Sequence, residues 1–258
     1  MALDKKEIII NNEEIPEIPI DSEVEHPRDV YIAMVLDSSG SMYGLVDQVI
    51  ESVNSFLQSQ SEIPARTIAT LCDFNSSYSF PFLNVEVQDV DRLTRESYRP
   101  GGSTALYDAI MATQQEVDKY LEGQPGLDVI FVIVTDGQEN SSINNARNNV
   151  FDMIREKTDN DNWVFTYLSA DADAFAAAGN IGISSINTVQ WAATNQGFEA
   201  GTLTSNLATT SYRYSRGMSY NLSDAANQVI SSSNLDPGAL KTAEESGYVK
   251  DEDEDGGD

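Results

Sequence analysis

Short, uninterrupted apolar runs alternate along this chain with segments in which apolar residues recur every three or four positions. Val30 to Leu36 is one such run, and Leu45, Val46, Val49, Ile50, Val53, Phe56 and Leu57 then line one face over roughly residues 45–58. The first pattern predicts a buried strand and the second an amphipathic helix. Ala65 to Phe74 predicts the next strand, and Tyr78 to Leu83 another after the turn Asn75-Ser76-Ser77. So short a link makes that pair antiparallel, and Pro81 suits an edge strand because it has no N–H to give a neighbour. A short helical turn near residues 91–98 and the Gly101-Gly102 loop lead to a helix from Thr104 to about Leu121, stopped by Gly123-Gln124-Pro125-Gly126. Val129 to Val134 is apolar throughout, as a central parallel strand covered on both faces must be. A helix to about Lys157, a strand at Trp163–Leu168 and an alanine-rich helix at Asp171–Ala178 follow. The last strand is read at Ile186–Trp191 and the last long helix at Gln196–Tyr212. This alternation predicts an α/β fold: a doubly wound, mostly parallel Rossmann-like sheet with right-handed crossovers and one antiparallel edge strand.

The flanks read differently. Residues 1–29 carry Ile8-Ile9-Ile10 and two Ile-Pro pairs, which predict an extended arm, and the isoleucines favour its lying across the domain surface. The domain itself is read over 30–216, a C-terminal extension with a helical piece at Leu222–Ile230 over 217–237, and a disordered acidic tail over 238–258.

Charge narrows the function. The formal net charge is −27, from 42 acidic and 15 basic residues, so nucleic acid and anionic membranes are poor partners. Residues 244–258 hold eight of the acids, so the folded domain is less extreme than the total. With one cysteine, Cys72, and one histidine, His26, neither a Cys/His zinc site nor a serine–histidine triad can form within the chain. Cys72 sits in an apolar run and reads as a core residue. No apolar stretch is long enough to span a membrane and the N-terminus lacks a signal-peptide core, so a cytoplasmic location is expected, with a particle released from a cell as a further site of action.

The chemistry concentrates in Leu36-Asp37-Ser38-Ser39-Gly40-Ser41-Met42, at the carboxyl end of the first strand, where α/β sheets place ligands. Asp37, Ser39 and Ser41 alternate, so in extended chain they project the same way, and Gly40 leaves room for a turn between the serines. One carboxylate and two hydroxyls suit a hard divalent cation such as Mg²⁺. Alone, the same residues are also ordinary helix caps. Two further stretches bear on the choice: Gly101-Gly102-Ser103-Thr104 puts a hydroxyl in a glycine-rich loop at a helix start, and Thr135-Asp136-Gly137 ends the central strand with a second carboxylate. In the doubly wound order, Asp37 and Asp136 fall side by side over one crevice, where without a cation they repel each other.

The order and spacing of these three pieces resemble the metal-ion-dependent adhesion site of von Willebrand factor type A domains, over roughly residues 30–215. The resemblance implies that Ser39, Ser41 and Thr104 bind the metal through hydroxyls, with Asp37 and Asp136 nearby or acting through water. It implies Mg²⁺, Mn²⁺ or Ca²⁺ as the ion, and a protein partner whose carboxylate completes the coordination. The segments Gly44 to Asn54 and Thr135 to Ser142 are also similar to compact type A domain proteins of bacteriophages and bacteria. A structural component of a larger assembly, such as a virion, is the alternative to a binding module. An aspartyl-phosphate hydrolase needs a second aspartate where Ser39 stands, and the first loop is not Gly-x-Gly-x-x-Gly, so no enzymatic activity is expected.

Other residues are weighed as accessories. Asp108 is a candidate acceptor behind Thr104; Glu139, Asn140, Tyr43 and Tyr107 are candidate partner contacts or rim packing; Asp73 reads as a turn former. Asp171 and Asp173 read as a helix cap and a first-turn carboxylate.

Overall fold

The computed structural model describes residues 26–124, 126–161, 163–215, 220–232, 236 and 238–248, and the backbone of four two-residue strands before them. Its centre is a seven-stranded sheet: β1 (Val30–Asp37), β2 (Thr67–Phe74), β3 (Tyr78–Glu86), β4 (Asp128–Thr135), β5 (Val164–Ser169), β6 (Thr188–Trp191) and β7 (Leu240–Lys241). The spatial order is β7-β6-β5-β4-β1-β2-β3, parallel except at its two edges. The helices are α1 (Val46–Ser61), α2 (Leu106–Leu121), α3 (Arg147–Asp161), α4 (Ala174–Asn180), α5 (Asn195–Arg213), α6 (Leu222–Ser232) and α7 (Ala243–Ser246).

All eight residues of β1 are buried, because the strand is covered on both faces. Val30, Ile32, Met34 and Leu36 pack with α1, α5 and α6, while Tyr31, Ala33 and Val35 pack with α2, α3 and α4. The period of two in β1 thus divides the core into its two layers. Cys72 is wholly inside, and burial pushes its thiol up to about 12, which fits an inert core residue. The antiparallel partner of β2 is the edge strand β3, with Pro81 on it.

A second antiparallel edge was not predicted. Leu240 and Lys241 pair with Trp191 and Gln190, inside the stretch expected to be disordered. Ala239, Leu240 and Thr242 are buried there, Thr242 and Glu245 form a reciprocal cap on α7, and Tyr248 stacks on Phe175. Two apolar residues and an aromatic ring suffice to order this short piece against a preformed sheet edge. Deleting residues 239–258 is therefore expected to lower the melting temperature by several degrees, since burying Leu240 alone is worth about 2 kcal/mol. An unchanged melting curve would show that the edge strand adds no stability. The acidic run Asp251 to Asp255 lies outside the described residues.

Most of the N-terminal arm also lies outside them. Its described backbone pairs antiparallel, residues 5–6 with 18–19 and 9–10 with 13–14. Among the described residues, no helix is long and apolar enough to cross a membrane. Arg213, at the end of α5, is fully buried and donates to the carbonyls of Arg28, Gln60 and Ala65 and to the Gln60 side chain. Burial lowers its guanidinium to about 10. This side chain thus ties α5 to the carbonyls at the amino end of the sheet.

Candidate metal centre

The parallel register of β1 on β4 runs from Val30 opposite Asp128 to Leu36 opposite Val134. Continuing it brings Asp37 beside Thr135, whose hydroxyl donates to Asp37 Oδ2 at 2.6 Å. The Ser39 N–H donates to Asp37 Oδ1 at 2.6 Å, so both carboxylate oxygens are held. Tyr98, also buried, donates its hydroxyl to the Asp37 carbonyl at 2.7 Å. Beyond the strand the chain enters a 3₁₀ turn, Gly40–Leu45, before α1. Ser39 Oγ and Ser41 Oγ lie 2.9 Å apart in a hydrogen bond, and Ser41 Oγ donates to Asp136 Oδ1 at 2.6 Å. Asp37, Ser39, Ser41 and Asp136 are thereby joined in one hydrogen-bonded chain, through the Ser39 backbone N–H at one end and the two serine hydroxyls at the other.

The glycine-rich loop closes over this set. Gly101 N–H donates to Ser38 O at 2.8 Å and Gly40 N–H to Gly102 O at 3.1 Å. The left-handed conformation is at Gly102, with φ +77°, and a Cβ there would sit 2.6 Å from Ser76 Oγ. Gly40, expected to supply the turn, does not use positive φ. Thr104 exchanges hydrogen bonds with Asn140, its N–H to Asn140 Oδ1 and the Asn140 N–H to Thr104 O, each at 3.0 Å. Its Oγ1 lies 3.8 Å from where a Cβ on Gly137 would be, next to Asp136.

Behind Thr104, two carboxylates order the loop that follows Asp136. Glu139 accepts from the N–H groups of Tyr107, Ser141 and Ser142 and from the Ser142 hydroxyl. Asp108 accepts from the N–H groups of Ile143, Asn144 and Asn145 and from both asparagine side chains. Burial alone would push Asp108 up, but these donors outweigh it and hold its carboxyl below the ordinary range. Asp108 and Glu139 are thus positioning acceptors.

The electrostatics of the centre run the other way. Burial pushes Asp37 up to about 6 against the hydrogen bonds from Thr135 and Ser39, and the Asp136 charge adds a smaller push. Burial also raises Asp136, opposed by Ser41. Among the described residues, no Lys or Arg forms an ion pair with either carboxylate. Nor is there, among them, a cluster of three or more His, Cys, Asp or Glu side chains suited to a metal. What the site offers is two carboxylates without a protein counter-ion and three hydroxyls. That donor set fits a hard divalent cation and is unsuited to a soft one.

Of the five predicted ligand positions, Asp37, Ser39, Ser41 and Asp136 form one hydrogen-bonded chain; Thr104 is bonded through its backbone to Asn140 instead, with its hydroxyl on the side of Gly137, the residue after Asp136. Asp73 is not among them: its Oδ1 is buried with no hydrogen-bond partner, and burial raises its pKa. Asp171 accepts from the Asp173 N–H, and Asp173 precedes α4 without a side-chain cap bond. Tyr43 is 76% exposed and Tyr107 is half-buried. Thr135 and Tyr98 were missed. Thr135 had a readable signal, a hydroxyl ending an otherwise apolar strand one residue before Asp136; Tyr98 lies in a loop with none.

The same architecture occurs in solved structures of known proteins. Proximal thread matrix protein 1 from the mussel byssus superposes with a TM-score of 0.51 at 14% identity, covering 71% of this chain and 46% of that one. A second structure of that protein, with zinc in its metal-ion-dependent adhesion site motif, gives 0.50 at 16% identity, covering 64% and 42%. A von Willebrand factor type A protein from Catenulispora acidiphila gives 0.49 at 11% identity, covering 71% and 43%. The chain spans less than half the length of these three structures. No curated protein matches it in sequence. The family model of the von Willebrand factor type A domain matches residues 31–188, from β1 to the start of β6. This chain belongs to the von Willebrand factor type A domain family.

Proposed function

We propose that this domain is a protein-binding module whose face carries one divalent cation, preferentially Mg²⁺, held by Asp37, Ser39, Ser41, Thr104 and Asp136. The observation that supports it most is the buried Asp37 carboxylate, raised to about 6 and without a cationic partner among the described residues, at the head of a hydrogen-bonded chain through Ser39 and Ser41 to Asp136. The zinc-bearing motif of the mussel byssus protein accords with a metal at this position. When bound, the cation supplies a local positive charge that a partner's carboxylate can meet. The chain's own residues hold the loops: Thr135 and the Ser39 N–H orient Asp37, Asn140 fixes Thr104, and Asp108 and Glu139 order the segment after Asp136. A partner with a carboxylate must approach an acidic molecule, so attraction acts at contact and not at long range.

The test is capture on immobilised protein in Mg²⁺ and in chelator, with Asp136→Asn as control. Partners are expected in Mg²⁺ that are lost both in chelator and on the variant. Chelator-independent self-assembly would instead assign the chain to the structural class.

A further inference from the structure

Beside the metal loop lies a cavity of about 310 Å³ whose walls include Tyr43, Asp47, Arg95, Tyr98, Arg99 and Asn195. It adjoins the proposed metal centre. Tyr43 stands on the 3₁₀ turn that carries Ser41, and Tyr98 is the residue whose hydroxyl supports the Asp37 carbonyl. Its charge is unusual for this molecule: two of only 15 basic residues line it, on a chain with net charge −27. Arg95 is engaged by Asp47. Arg99 is exposed and, among the described residues, has no ion pair. Asn195 is the first residue of the 19-residue helix α5, so the positive end of that helix also lies at the cavity wall. Tyr43, 76% exposed, lines the cavity with its ring open to solvent.

We propose that this cavity is a second subsite for the partner, taking an acidic side chain close in sequence to the carboxylate that meets the metal. The assignment rests on the metal-bridged reading above. A guanidinium with a free fork recognises a carboxylate through two parallel hydrogen bonds, which a lysine cannot reproduce. On an otherwise acidic surface, a cation and Arg99 side by side favour a partner segment with two acidic residues over one with a single acid. Tyr43 then covers the apolar part of the segment between them.

Fluorescence anisotropy tests this with fluorescein-labelled Gly/Ser peptides bearing either one Asp or two Asp separated by one to four residues. In saturating Mg²⁺, one spacing of the two-Asp series is expected to bind the parent about tenfold more tightly than the single-Asp peptide. Arg99→Ala should abolish that advantage and leave single-Asp binding unchanged, Arg99→Lys should restore only part of it, and Arg92→Ala, on the same loop but outside the cavity, should keep it. No advantage on the parent, or one that survives Arg99→Ala, would overturn the subsite. Equal binding in Mg²⁺ and chelator would overturn the metal bridge and the subsite with it, whereas metal-dependent binding without an Arg99-dependent two-acid preference would overturn the subsite alone.

Discussion

Replacing Asp37 by Asn is expected to raise the melting temperature of the metal-free protein by several degrees while removing divalent-ion binding. The Asp37 carboxylate is raised from 3.8 to about 6, chiefly by burial. A rise of that size corresponds to a cost on the order of 3 kcal/mol for holding the ionised group inside the metal-free fold at neutral pH. An asparagine keeps the shape. Its Oδ1 can accept from the Ser39 N–H, and its Nδ2 can donate to Thr135 Oγ1, which can turn its own proton to the Gly137 carbonyl 3.0 Å away. The metal-free fold thus loses a buried charge and keeps its hydrogen bonds, so a gain of several degrees follows for a domain of this size. The sequence alone points to repulsion between Asp37 and Asp136 as the source of strain; in the structure that repulsion is the lesser contribution and desolvation the greater. Thermal unfolding in chelator, parent beside variant, makes the comparison. An Asp37→Asn protein that melts earlier than the parent would mean that the carboxylate holds the loop structurally.

Asp108→Ala should have the opposite sign. Its carboxylate satisfies the N–H groups of Ile143, Asn144 and Asn145 and two side-chain amides, and no other described acceptor is bonded to those three N–H groups. Leaving such donors without a partner costs about 1–3 kcal/mol for each that stays buried. Ile143 and Asn144 are exposed enough for water to reach their N–H groups, so a destabilisation of about 1–2 kcal/mol is expected in urea unfolding, with or without metal. The same loop carries Glu139 and Asn140, which hold Tyr107 and Thr104, so Mg²⁺ affinity should fall at least tenfold although Asp108 is no ligand. A variant with parental stability would show that the loop keeps its form without this anchor.

Much of this was readable before the structure, for identifiable reasons. Strands buried on both faces leave unbroken apolar runs, so β1 and β4 were placed within about a residue, and their adjacency follows from the winding order. Asp37 and Asp136 stood out as carboxylates ending apolar strands, whereas Ser39, Ser41 and Thr104 were singled out by the spacing that resembles type A domains. The supporting contacts were less readable. Tyr98 reaches Asp37 from a loop without periodicity, and the role of Asp108 depends on where residues 143–145 return in space. β7 was missed because Ala239-Leu240 is too short to register as a strand and is followed by an acidic composition. Tertiary pairing with Gln190 and Trp191 decides its fate, and no local pattern does.

Isothermal calorimetry of chelator-stripped protein with Mg²⁺ tests the central assignment most directly. One site per chain is expected on the parent, no measurable site on Asp37→Asn, and an affinity reduced at least tenfold on Thr104→Ala, all three proteins remaining folded by circular dichroism. Binding of unchanged affinity and stoichiometry on both variants would show that the loop after β1 is a hydrogen-bonded strand–helix turn and that the cation, if any, sits elsewhere.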